Sequence, residues 1–123
     1  MMNTNISIII SSDHNGVKLK NKIQKYFSKK YNFIDLGPHS IDKVDYTDYA
    51  SQAAKIVSNN QVKYAILVCG TGIGMSITAN KFSKVRAAHV HNVISAINSK
   101  DHNDSNIICL GSWINTDQTN LKL

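Results

Sequence analysis

The sequence contains no glutamate; all eight of its acidic side chains are aspartates. A glutamate general base is thereby excluded. Fourteen residues are lysine or arginine, but only Arg86 is arginine. Bidentate recognition of phosphate by an arginine cluster therefore has little to build on. The two cysteines, Cys69 and Cys109, each end or lie in an apolar strand pattern and make no disulfide framework. No apolar run approaches the roughly 18 residues needed for a membrane helix. Residues 1–5 lack the charged and apolar regions of a secretory leader, so a cytoplasmic protein with no membrane partner is expected.

What is present is a lysine-rich chain of 123 residues with a net charge of +6. That length suits one domain, 1–123, around one core. The charge fits a nucleic-acid surface or attraction of a phosphorylated substrate. The lysines between positions 18 and 30 read as the solvated face of a helix opposite its apolar stripe. The aromatics of that stretch, Tyr26 and Phe27, belong to the apolar stripe and are not interleaved on the lysine face for base stacking, so no nucleic-acid partner is expected.

Strand and helix patterns alternate along the chain. Strands are expected at 6–11, 32–36, 65–69, 85–90 and 107–110. Helices are expected at 17–30, with Val17, Leu19, Ile23, Tyr26 and Phe27 inward, at 47–58, capped by Thr47 or Asp48, and at 75–82 and 93–100. Asp117 could cap a further short helix. The alternation predicts an α/β sandwich around a parallel five-stranded sheet. Ligands of such sheets sit beyond the carboxyl ends of the strands, where Asp13-His14, 69–74 and the loop after the fourth strand belong.

The chain is organised around Tyr64-Ala-Ile-Leu-Val-Cys69-Gly-Thr-Gly-Ile-Gly74, a strand, a glycine turn and the start of a helix. The turn matches neither the dinucleotide-binding pattern nor a P-loop. Backbone N–H groups of such a turn point at an anion. A thiol set there is a candidate base, because the local field favours its thiolate. One turn would then supply both a base and an oxyanion cradle. The alternative is a packing turn with Cys69 as a small buried hydrophobe.

Six stretches in order carry a more specific message: Ser12-Asp-His-Asn-Gly16, Asp45-Tyr-Thr-Asp-Tyr-Ala50, Cys69-Gly-Thr-Gly-Ile-Gly-Met-Ser-Ile77, Ala79-Asn-Lys81, Arg86-Ala-Ala88 and His102-Asn-Asp-Ser-Asn106. Together they resemble the ribose-5-phosphate isomerase B family, which includes the galactose-6-phosphate isomerase subunits. The resemblance implies a flavodoxin-like, Rossmann-type three-layer sandwich. It implies aldose–ketose isomerisation of a phosphosugar with no metal and no cofactor, in a homodimer or dimer of dimers whose subunits share active sites. By motif, Cys69 matches the base that moves a proton between C1 and C2 through an enediolate. Thr71 and His102 match residues that assist ring opening. Asp13, His14 and Tyr46 match substrate contacts, with His14 toward the phosphate, and Asn103 matches one entering from the neighbouring subunit. The N–H groups of Gly70, Gly72, Ile73 and Gly74 fit the oxyanion cradle.

The chain also departs from that family. Thr47 stands where proline is usual and Trp113 where arginine is usual. Some relatives carry a carboxylate base where this chain has Met75. The family continues into a C-terminal helix with phosphate-binding arginines, whereas this sequence stops at Leu123, so a shortened C-terminus is expected. Ribose 5-phosphate is the expected substrate. A hexose 6-phosphate of galactose or allose, or a non-catalytic phosphosugar-binding role, are the alternatives. Cys109 is expected in the core, His39, His89 and His91 as structural or exposed, and Asn80 and Arg86 as ties for the glycine turn and a strand end.

Overall fold

A computed structural model describes residues 6–113. The elements run β1 (Ile6–Ser12), a 3-10 turn (His14–Gly16), α1 (Val17–Tyr26), β2 (Tyr31–Asp35), α2 (Tyr46–Ser58), β3 (Tyr64–Cys69), α3 (Ile73–Ala79), β4 (Ala87–His89), α4 (Val93–Asp101) and β5 (Ile107–Gly111). The five strands form one sheet, all pairs parallel, in the order β2-β1-β3-β5-β4. The β2-β1-β3 half matches the flavodoxin-like order, and the last two strands are exchanged.

Alternation along the central strands divides the core in two. Ile9, Leu67 and Cys109 face one side with Ala50, Ala53, Val57, Met75 and Ala79 of α2 and α3. Ile10, Val68 and Leu110 face the other with Leu19 and Ile23 of α1, and Ala96 of α4 packs against that cluster. Two buried faces explain why β3 reads as an unbroken apolar run.

Several boundaries shift. α1 ends at Tyr26, and Tyr26 is mostly exposed instead of inward. Asp45, not Thr47 or Asp48, occupies the N-cap of α2, without a capping side-chain bond. α3 begins two residues early, at Ile73, and β4 is three residues long. Lys20 departs furthest from the solvated face expected of it. Its side chain is fully buried and its Nζ pairs with Asp35 at 2.8 Å. The helix expected at Asp117 lies outside the described residues, as do residues 1–5.

Candidate active site

The strand order reverses between β1 and β3, and their carboxyl ends frame a crevice. The turn after β1 is drawn into it by Asp13 N–H, which donates to Val68 O at 3.1 Å. Gly16 makes that approach possible, since a Cβ there would lie 2.6 Å from Val68 O. Asp13 is buried, and its Oδ1 accepts the N–H groups of Asn15 and Gly16 at 2.9 and 3.2 Å. At least this oxygen caps the turn. His14 Nδ1 accepts Val44 N–H at 3.2 Å. A ring that accepts at Nδ1 carries its proton on Nε2, which can donate to an anion.

At the end of β3, Cys69 is 5% exposed and its Sγ accepts Gly72 N–H at 3.1 Å. The sulfur thus faces the turn, not the sheet. Gly72 has φ +84°, a backbone that suits glycine, and this conformation aims its N–H back at the thiol. Thr71 Oγ1 accepts Ile73 N–H at 3.1 Å, which leaves the hydroxyl proton free to be donated. The cradle expected of four N–H groups is accordingly smaller. Gly72 and Ile73 already have partners within the turn, and only Gly70 and Gly74 are not held by one of its side chains.

Each glycine of the turn lies under one ring. A Cβ would meet Trp113 at Gly70, His89 at Gly72 and Tyr46 at Gly74, all within 2.7 Å. Tyr46 is thus brought to the site as expected. Trp113 and His89 were not expected at this turn; only the crossover of β4 and β5 brings them there.

The two remaining site residues lie elsewhere in the chain. His102 caps the C-terminus of α4 and Asn103 follows it; both are exposed. Lys100 Nζ sits over the Tyr64 ring, and Ala65 N–H donates to Asn106 O. That segment therefore flanks the start of β3. Cys69 is five residues further along the strand, about 16 Å at the usual rise. His102 and Asn103 are at the opposite edge of the sheet and do not join Cys69 within one chain. A helix antiparallel to its strands must end at the amino edge.

The structural assignments divide cleanly. Asn80 exchanges two hydrogen bonds with the backbone of Ala87, at 2.8 and 2.9 Å. Arg86 Nε donates to Asp104 O at 2.7 Å. Cys109 is fully buried, and burial, aided by nearby Cys69, pushes its thiol far above the ordinary value. Met75 is also fully buried. A cavity of about 570 Å³ lies between α1 and α4 and contains no carboxylate, thiol or imidazole. It is not the site.

A thiol-bearing glycine turn at the switch point, with Asp13, His14, Thr71 and Tyr46 around it, suits proton transfer on a small anionic substrate. The model of the Ribose/Galactose Isomerase family matches residues 8–123. The chain belongs to that family. It is an isomerase by that membership. Ribose-5-phosphate isomerase B of Escherichia coli is 42% identical over 108 residues, covering 87% of this chain and 72% of that one. The structure of Clostridium thermocellum ribose-5-phosphate isomerase B superposes with a TM-score of 0.93 at 39% identity, over 95% of this chain and 80% of that one. The Mycoplasma genitalium ribose-5-phosphate isomerase B structure, with bound ribulose-5-phosphate, gives 0.91 at 39% identity over 95% and 79%. No helix among the described residues is long and apolar enough to cross a membrane.

Proposed function

We propose that this isomerase interconverts ribose 5-phosphate and ribulose 5-phosphate, with Cys69 as the base. The reading rests above all on Cys69 Sγ, which accepts Gly72 N–H at the carboxyl end of β3 beside the switch point. Thr71 donates a hydrogen bond to the ring oxygen as its bond to C1 breaks, and the proton of the C1 hydroxyl passes to that oxygen as the aldehyde forms. The Cys69 thiolate then removes the proton on C2 of the open aldose. The electron pair moves into the C1–C2 bond and onto the carbonyl oxygen, giving an enediolate. N–H groups of the glycine turn stabilise that oxyanion, a type of term worth about 3 kcal/mol. A proton passes from O2 to O1 within the enediolate, and return of the proton from Cys69 to C1 gives the ketose. Overall one proton changes carbon and one changes oxygen, and no oxidant or reductant is consumed.

His102 and Asn103 serve this reaction only from a second copy. The exposed Ile94 and Ile97 of α4, the helix that ends at His102, support that arrangement by offering apolar surface to bury. The reading is therefore of a homodimer with shared active sites. Its test is turnover of ribose 5-phosphate by the purified protein beside Cys69→Ala. Turnover lost in the variant is the expected result. A folded wild-type protein without turnover on ribose, galactose or allose phosphates would reject the proposal.

A further inference from the structure

Trp113 is the single tryptophan of the sequence, and it is pinned to both turns of the site. Its N–H donates to Gly70 O at 2.8 Å, and Ser112 N–H donates to Cys69 O at 2.8 Å. Ser112 Oγ also donates to Asn15 O at 2.9 Å, beside the Asp13 turn. Three indole atoms lie 2.4–2.6 Å from where a Gly70 Cβ would be, so the ring rests on the bare backbone beside the base. Even so, Trp113 is 69% exposed. Exposure of one large apolar residue means little by itself. Here it coincides with a fixed position at the mouth of the crevice.

We propose that Trp113 is a stacking platform for the C–H face of the substrate sugar, a contact kept from the closed ring to the opened chain. The inference rests on the isomerase reading above and names what holds the sugar there. The C–H face of a sugar ring is apolar and slightly positive, whereas the face of an indole is negative, so the two attract. Arg86, the one arginine, is held by Asp104 at the opposite edge. Ring stacking draws binding from the carbohydrate instead of the phosphate. It acts alike on the bound substrate and on the transition state, so it lowers KM and leaves kcat alone.

The test uses the indole as its own probe. Cys69→Ala protein, which cannot turn the sugar over, is titrated with ribose 5-phosphate while Trp113 emission is followed. Inorganic phosphate is titrated in parallel. Trp113→Ala and Trp113→Phe are assayed in the otherwise wild-type chain. We expect a saturable emission change with the sugar phosphate and none with phosphate alone. Trp113→Ala should raise KM roughly three- to tenfold with kcat within about twofold, and Trp113→Phe should recover most of the loss. Emission insensitive to the sugar, or an unchanged KM in Trp113→Ala, overturns the platform. So does a fall in kcat at constant KM, which would assign the ring to bracing Gly70. An emission shift that follows protein concentration instead of sugar would mark a contact between copies and overturns it as well. Turnover with silent emission removes the platform and keeps the isomerase. Sugar-dependent emission in a wild-type protein without turnover does the reverse.

Discussion

Lys20 Nζ lies 2.8 Å from Asp35 Oδ2, with the lysine side chain wholly buried and the aspartate 19% exposed. The pair joins α1 to the end of β2. From there Asp35 Oδ1 accepts Gly37 N–H, and Gly37 O accepts Ser12 N–H at the base of the Asp13 turn. A lysine among helix lysines thus helps to hold one wall of the site. Removing one partner of a buried ion pair strands the other charge. Lys20→Ala should cost about 3 kcal/mol, the low end for such a loss because Asp35 keeps some water. Urea unfolding of the variant at neutral pH checks it.

The same pair sets an acid limit. Burial opposes the charge of Asp35, but hydrogen bonds from Lys20, Gln24 and Gly37 N–H outweigh it and hold the carboxyl below its ordinary value of 3.8. A depressed folded value means that the stabilisation is complete above the unfolded value and is lost as pH falls through the folded one. Below about pH 4, wild-type stability should fall toward that of Asp35→Asn. Parallel stability curves for the two proteins from pH 7 to 2.5 would contradict this.

The thiols should behave differently. Cys69 keeps 5% exposure at the strand end, where its Sγ accepts Gly72 N–H, whereas Cys109 is sealed in the core with its thiol pushed up. Iodoacetamide should label Cys69 in native protein and reach Cys109 only after unfolding. Cys109→Ala should keep turnover, while Cys69→Ala should lose at least about a hundredfold. Mass spectrometry of labelled peptides and steady-state kinetics give both answers.

If His102 acts across a subunit boundary, two inactive proteins should rescue each other. Mixing Cys69→Ala with His102→Ala at equal amounts places one intact site in half of the dimers. About a quarter of wild-type activity should then return. No recovery after confirmed subunit exchange would put His102 outside the reaction.

Gly16 offers a test of crevice geometry. A Cβ there would press to 2.6 Å from Val68 O, which is backbone and cannot swing aside. Gly16→Ala should destabilise by about 1–3 kcal/mol and raise KM through the displaced Asp13 turn. Thermal unfolding alongside kinetics reads both effects.

Local pattern determined much of this protein. The buried run of β3, the glycine turn, the core position of Cys109 and the tying role of Asn80 follow from residue type and near neighbours, and all were legible in the sequence. So was the gathering of the Asp13 and Cys69 turns at one edge, because parallel strands share their direction. Tertiary structure decided what depends on distant segments. Lys20 is buried because the Asp35 carboxylate meets it from β2, and helix periodicity carries no trace of that partner. The exchange of β4 and β5 lays His89 and Trp113 on the glycine turn, a result of strand order that no run of residues encodes. His102 stands at the far edge from Cys69 because a helix between parallel strands must return the chain to where the next strand begins.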